Sequence, residues 1–563
     1  MIDFDKTIPK KIKNSPINKP FTIAIKKLLK EKEVNQFLEE NSHLSPIEFI
    51  EKIFEELNFD YKVSNSEIEN IPTNGRVVIV ANHPLAGLDS LALIHLVKKI
   101  RKDVKIVANS ILKEIKPLKD LILDVDILDK KASKKSISKI IDSLNNEEAV
   151  IIFPAGEVSR LTLSGIKDGK WKKGFLQLAK KTKSPILPVF IKAKNSKTFY
   201  TISAINKPIS SFLLIREIFK QKDKNIELKI GKLIAYEDYA SINFKNKVMA
   251  NLFRKHIYLI GKNKKGLFKT QNPIAHPENK ILLKEELKNA TLLGKTNDNK
   301  SIYLFTYSPD SPIMREIGRL REVSFRKVGE GSGHKRDIDK YDTYYKHIIL
   351  WDEENLEIIG SYRIAEGEFV YKNYSKEGFY TNTLFEYNDN FIPILQKGIE
   401  LGRSFIQPKY WNTRALDYLW QGIGKYLKAN PNIKYLFGPV SISNMYPKFA
   451  QNLIIYFYKN YYSKQSNLVS PKNPFIITKE EEKEIKEFFD LNNKKEDFLK
   501  LRNLLKSQHL TIPTLYKQYP ELFEDEGIDF VSFNVDENFN CVDSFIVANL
   551  DYMKEKKKKR YIN

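Results

Sequence analysis

His83 and Asp89 stand six residues apart in Asn82-His83-Pro84-Leu85-Ala86-Gly87-Leu88-Asp89, directly after the apolar run 76–81 (RVVIVA). A histidine at the C-terminal end of a strand lies where open α/β sheets place ligands. An aspartate at the start of the next helix can return to the imidazole. Such a pair makes a general base: the aspartate fixes the tautomer and stabilises the imidazolium, and the histidine takes a proton from an attacking hydroxyl. No nucleophilic serine is needed if the acceptor's own hydroxyl attacks. The plainer reading is that Asp89 caps a helix beginning at Ser90.

A second block, Phe153-Pro154-Ala155-Gly156-Glu157-Val158-Ser159-Arg160, follows another apolar strand. Lys170–Phe175 (KWKKGF) then opens a helix, and Pro185–Val189 (PILPV) forms a further strand. Blocks in this order over about residues 50–210 resemble the lysophospholipid (glycerolipid) acyltransferase family, with its N-H-x4-D and F-P-E-G-T-R-S blocks. The resemblance implies that His83 and Asp89 are catalytic and that Asn82, Gly156, Glu157 and Arg160 serve the acceptor site. Two departures, a His-to-Asp spacing one residue longer and F-P-A-G-E in place of F-P-E-G-T, look like the "putative hemolysin" branch, whose members acylate amino-acid lipids. Ala155 stands where that family's second-block glutamate helps bind a glycerol-phosphate acceptor, which argues against glycerol 3-phosphate here.

From residue 301 onward a different set of polar residues gathers. Arg321 and Phe325 lie four apart on one helical face, and Asp337, Asp339 and Asp342 follow. Arg363 then appears in GSYRI, and Glu400 and Arg403 in ELGRSF. An aspartate trio is commonly a solvated loop. Arg363 and Glu400, however, sit among apolar strand-like neighbours, where an unpaired charge costs several kcal/mol. They are expected to pair with each other or with the acidic loop, so that Arg321, Arg363, Glu400, Arg403, Asp339 and Asp342 form one constellation that, with Phe325, binds the substrate, an amino acid's carboxylate held by Arg and its ammonium by Asp or Glu. The spacings resemble the acyl-homoserine-lactone synthases and the N-acyltransferases that start ornithine and glycine lipids, within the GNAT-like superfamily. Phe379-Tyr380, Trp420 and Tyr435–Gly438 fit the same pattern, over about residues 300–460, and a weaker echo reaches Ile512–Asp551. The resemblance implies an acyl-carrier-protein thioester as donor, an amino acid's amine as acceptor, no further cofactor or metal, and oxyanion donors at a strand splay. Glu400 is then the expected base, unless it only orients Arg403.

These residues need elements to hold them. Apolar runs recur at Val104–Ala108, Ala149–Phe153 and Ile186–Ile191, with helical stretches between, as at Ser90–Ile100 and Lys170–Lys181. A second series begins with strand Ile302–Tyr307, helix Pro312–Phe325 and strands Lys346–Trp351 and Glu357–Ile364. Alternating strand and helix predicts an α/β protein. By resemblance its two domains are an N-terminal, mostly parallel-sheet glycerolipid-acyltransferase-like fold and a C-terminal GNAT-like mixed α/β fold. The expected boundaries are a basic helical region 1–70, an O-acyltransferase domain 71–261, a linker 262–300 rich in Lys, Asn and Pro, and an N-acyltransferase domain 301–563. Phe21–Lys30 reads either as an interfacial amphipathic helix or as a helix covering the core. The run Lys554–Arg560 reads as a solvated tail or a membrane tether.

The chain has 563 residues and a formal net charge of +24, which asks for an anionic partner: nucleic acid, membrane surface or acidic carrier protein. One cysteine, Cys541, excludes an internal disulfide and a cysteine-ligated metal cluster. No apolar stretch of about 18 residues is present to span a bilayer, and no secretory leader is visible, so the expected location is cytoplasmic, at the inner face of the membrane. Together the two resemblances look like the bifunctional ornithine lipid synthases. One domain would join a 3-hydroxyacyl chain to ornithine or glycine, and the other would esterify the new hydroxyl of the lyso-lipid. The competing readings are a phospholipid acyltransferase with a non-catalytic appended domain and a basic nucleic-acid-binding or scaffold protein. No nucleic-acid-binding motif is recognisable, so nucleic acid is not the expected partner.

Overall fold

In the computed structural model the chain is described over residues 31–85, 87–124, 133–163, 165–205, 213–214, 216–464 and 467–562. It divides into two units, Met1–Pro273 and Ile274–Asn563. The strands of the first are β1 (Asp60–Lys62), β2 (Val77–Ala81), β3 (Val104–Ala108), β4 (Ile122–Asp124), β5 (Ala149–Ile152), β6 (Arg160–Thr162), β7 (Gly165–Lys167), β8 (Ile186–Lys192) and β9 (Asn225–Ile230). Seven of them form one sheet in the order β1-β9-β8-β2-β5-β3-β4, and β6 and β7 make a separate hairpin. Every pairing in the large sheet is parallel except β8 with β9. Central strand β2 shows why its sequence is continuously apolar. Val77, Ile79 and Ala81 join a core with Phe49 and Ile50 of the helix Pro46–Glu56 and with Leu93 and Leu96 of the helix Leu88–Ile100. Val78 and Val80 join another with Phe175 of the helix Gly174–Lys181 and Phe253 of the helix Asn246–Ile260. Both faces are covered, so no polar alternation survives.

The second unit is built on β10 (Thr291–Lys295), β11 (Lys300–Thr306), β12 (Lys346–Asp352), β13 (Glu357–Glu366), β14 (Phe385–Tyr387), β15 (Gly398–Ile406), β16 (Tyr435–Ser443), β17 (Val469–Pro471), β18 (Ile528–Asp536) and β19 (Cys541–Asn549). Eight of these form a sheet in the order β10-β11-β12-β13-β15-β16-β19-β18. Only β15 and β16 pair parallel in it, over Gly398–Glu400 against Tyr435–Phe437. Beyond that point the two strands part. Gly438 marks the fork with φ +155°, and a Cβ there would lie 2.1 Å from the Leu401 carbonyl oxygen. Along β12, Ile348 and Leu350 face the helix Ala415–Ala429, in a core that also takes in the helix Lys448–Tyr462, while Ile349 and Trp351 share a core with the helix Pro312–Lys327. Ser311 caps that last helix by accepting from the Met314 amide, and Pro312 opens it. The protein is thus mixed α/β in both units.

The stretch 262–300, expected as a linker, holds more structure than that. Asn279 caps a helix, Lys280–Leu287, whose Leu283 and Leu287 join the core under Ile313 and Ile317. Strand β10 follows and extends the second sheet. Two or three apolar residues on one face sufficed to recruit a segment whose composition is otherwise polar. The run 554–560 is not a free tail either. It lies in a helix, Glu555–Tyr561, anchored where Arg560 and the Tyr561 hydroxyl each meet Asp417 at 2.6 Å. The segment 21–30 lies outside the described residues. Among the described residues no helix is long and apolar enough to cross a membrane.

Candidate active sites

In the first unit the loop after β2 carries His83 past the sheet's C-terminal edge. His83 Nδ1 lies 2.8 Å from Asp89 Oδ2. Asp89 is fully buried in the first turn of the helix Leu88–Ile100, where it also accepts from the Leu85 amide at 2.9 Å. The helix has Gly87 at its N-cap, so Asp89 is not its cap. Burial disfavours the imidazolium, but the charge and hydrogen bond of Asp89, with Asp168 behind, outweigh it and hold His83 above its ordinary pKa. Phe153 lies against the imidazole with ring centroids 4.5 Å apart.

The other sequence-derived candidates divide. Asn82, expected on substrate, is buried, and both ends of its amide are taken by the Ile191 backbone at 2.9 and 2.7 Å. It ties the end of β2 to β8 and is buried in that role. Gly156 turns the loop with φ +67°. Glu157 and Arg160 face each other at 3.9 Å, and Arg160 donates to the Ser203 hydroxyl and lies over the Phe199 ring. Sequence reasoning missed Asp168. It is 1% exposed and accepts from the His83 amide at 3.2 Å, Ser159 Oγ at 2.5 Å and Trp171 Nε1 at 2.9 Å. Ser159 N in turn donates to the His83 carbonyl at 2.7 Å. One carboxylate therefore fixes the histidine loop against the Phe153–Arg160 block. Its place two residues before the Lys170-Trp171 pair was the available signal.

In the second unit the residues spread over 83 positions of sequence do converge, as charge pairing demanded. The acidic loop shapes itself: Asp339 accepts from the Tyr341 and Asp342 amides while Asp342 accepts from the Asp339 amide, a reciprocal cap of the turn Lys340–Thr343. Arg321 Nη1 meets Asp342 Oδ1 at 2.9 Å, and Arg363 Nη1 meets Asp339 at 2.6 Å and Asp342 at 3.1 Å. Arg403 reaches Asp337 at 3.0 Å and Asp339 at 3.5 Å. Burial works against the Asp342 carboxylate, yet Arg321 and Arg363 hold it well below the usual range. Fully buried His347 is pushed down to about 3 by desolvation and by the same two arginines, so it is neutral here. Tyr380 and Phe539 enclose the Arg403 guanidinium, each ring 4.3 Å away.

Glu400 differs from expectation. It forms no ion pair with Arg363 or the acidic loop. Its carboxylate accepts from the Tyr345 hydroxyl and from the Tyr380 and Thr381 amides at 3.2 and 2.8 Å, and it is 1% exposed. A buried carboxylate can be satisfied by amides and a phenol as well as by a cation, and here the turn at 379–381 supplies them. A cavity of about 80 Å³ lies in the fork between β15 and β16. Of the sequence-derived set, Phe325, Tyr380 and Arg403 line it; Glu400, Arg321, Arg363, Asp339 and Asp342 do not. Its remaining wall includes Glu330, Asp536 and Asp543, which sequence reasoning had not singled out.

Comparison with known proteins agrees with this division. Residues 19–266 match the family model described as Acyltransferase, and residues 320–421 the model described as Acetyltransferase (GNAT) domain. A glycine N(alpha)-acyltransferase of Bacteroides thetaiotaomicron is 38% identical over 264 residues, covering 44% of this chain and 77% of that protein. A lyso-glycine lipid O-acyltransferase of the same organism is 31% identical over 252 residues, covering 42% of this chain and 90% of that protein. An L-ornithine N(alpha)-acyltransferase of Brucella abortus is 30% identical over 175 residues, covering 26% of this chain and 60% of that protein. The two large alignments each take under half of the chain, as two fused catalytic units require. This chain is an acyltransferase that belongs to both the glycine N(alpha)-acyltransferase and the lyso-glycine lipid O-acyltransferase families.

Proposed function

We propose that the chain makes a diacylated glycine lipid in two steps. The second unit transfers a 3-hydroxyacyl chain from an acyl-carrier-protein thioester to the amine of glycine. The first unit then places a second acyl chain on the 3-hydroxyl of that product. The observation that carries the first-unit step is the His83–Asp89 pair at 2.8 Å. His83 takes the hydroxyl proton as oxygen attacks the second acyl donor, and Asp89 stabilises the imidazolium. Gly156, Glu157 and Arg160 flank the acceptor, and Asp168 positions the loop. In the second unit Arg403 receives the glycine carboxylate, and Phe325 packs beside it at the fork. Arg321, Arg363, Asp339, Asp342 and Glu400 hold that wall in place. Glycine is favoured over ornithine because the relatives named for glycine are the more similar ones.

An acidic carrier protein and an anionic membrane face both suit a net charge of +24. Leu161, Leu163 and Ile205 are exposed on the β6–β7 hairpin and the neighbouring helix Lys197–Ile205, beside the Arg160 end of the first site. This apolar edge suits contact with the lipid that carries the acceptor. Mass spectrometry of lipids from a host expressing the full chain tests the scheme. Mono- and diacylated glycine are expected, and only monoacylated glycine from H83A. Absence of any acylated amino acid, or an unchanged diacyl yield from H83A, would rule it out.

A further inference from the structure

In the buried acidic wall of the fork, one carboxylate has only a weak partner among the described residues. Asp543, on β19, is 6% exposed, and among the described residues its carboxylate accepts only the Cys541 thiol at 3.7 Å. The neighbouring carboxylates are occupied: Asp536 accepts from the Asn538 and Phe539 amides, and Glu330 from Ser441 Oγ at 2.9 Å. Strand register places Ser441 directly opposite Asp543. Across the cavity stands Arg403, its side chain 9% exposed, with Nε lacking an aligned hydrogen bond although Asp337 is 3.0 Å away. One cation faces an unfilled carboxylate across a space of about 80 Å³. A small zwitterion has that distribution of charge. We propose that Asp543 is the catalytic base of amide formation, in a subsite where an α-amino acid directs its carboxylate to Arg403 and its ammonium to Asp543. The assignment rests on the N-acylation reading above.

Asp543 takes one proton from the ammonium. The freed nitrogen bonds to the thioester carbonyl carbon, the C–S bond breaks, and the departing thiolate carries off the second nitrogen proton. Burial and the nearby Asp536 and Glu330 push Asp543 up to about 8, a range suited to exchanging a proton with an amine near neutrality. A divalent cation is the competing occupant, since ligand atoms of Asp536, Cys541 and Asp543 lie within 4.8 Å of one another. Against it, burial and the surrounding carboxylates keep the Cys541 thiol protonated, and Arg403 shares the cavity.

The full chain is assayed with an acyl thioester and either glycine or aminooxyacetate, which keeps the carboxylate but whose nitrogen is already unprotonated at neutral pH. D543N is expected to lose ~10²-fold or more on glycine and far less on aminooxyacetate. Equal losses on both, or none on glycine, overturn the assignment; so does a wild-type rate that chelator abolishes and a divalent metal restores. Asp543 faces Glu330 and Asp536, Arg403, Cys541 and, more distantly, Tyr516. E330Q removes one repelling carboxylate and keeps Asp543, so the acid limb of its glycine rate is expected at lower pH; an unmoved limb counts against the base even if D543N fails to fold. A wild-type chain that acylates neither nucleophile removes the N-acylation reading itself.

Discussion

The two sites hold their charges in opposite ways. In the first unit one histidine and one aspartate, six residues apart, pair directly, with a single buried carboxylate behind them. In the second unit three arginines and three aspartates interlock, and of these only Arg403 lines the cavity. A charged motif read from sequence therefore has two meanings. It can be the reacting group, or the buried frame that gives a reacting group its wall. Burial against the cavity lining separates them: His83 is 20% exposed in its side chain, whereas Arg321, Arg363 and Glu400 are closed off.

This contrast is open to direct attack. If His83 is the reacting group, H83A is expected to cut ester formation by ~10²–10⁴-fold in purified enzyme while leaving the unfolding transition in place. If Arg363 is frame, R363A is expected to destabilise the second unit by about 3–5 kcal/mol in urea unfolding, because Asp342 and Asp339 keep buried charge with one cation fewer. A stable R363A chain that has lost only N-acylation would move Arg363 to the substrate side. E400Q is subtler. Its amide would turn N–H groups toward the Tyr380 amide, which also donates, and leave a donor unmet at about 1–3 kcal/mol. The expected readout is a lower unfolding midpoint with an unchanged dependence of the surviving rate on glycine pH. The smallest effect concerns Asp89. With His83 as the proposed base, O-acylation needs its neutral form, so the rate is expected to rise with pH through the His83 pKa, which Asp89 raises. D89N lowers that pKa, and the acid limb is expected to move to lower pH as the maximal rate falls.

The first site was readable because its parts are neighbours in sequence: a strand, a turn and a helix start put His83 and Asp89 together without help from distant residues. Asp168 was not, since its role appears only once the β6–β7 hairpin folds it back under the histidine loop. The arginine–aspartate cluster was readable from the cost of burying charge in strands, although that argument could not tell an ion pair from the amides and phenol that satisfy Glu400. Asp543 was invisible for a geometric reason. It faces Ser441 only through the β16–β19 register and Arg403 only across the fork. Composition misled at both ends of the second unit. The stretch 262–300 and the run 554–560 look polar in bulk, yet a few apolar or tyrosine contacts dock the helices Lys280–Leu287 and Glu555–Tyr561 there.

The reciprocal cap that shapes residues 339–342 also sets a sequence of assembly. Its hydrogen bonds close over three residues and need no other part of the chain. Arg321 joins it across 21 residues and Arg363 across a similar span, by way of the β12–β13 hairpin. Arg403 must cross 64 residues to Asp339 and waits on the β13–β15 pairing. Short loops close first, so a preformed acidic turn recruits its cations in order of distance along the chain. The wall that Arg403 gives the cavity is then the last piece set, and refolding is expected to restore native hydrogen exchange at 339–342 before it restores N-acylation.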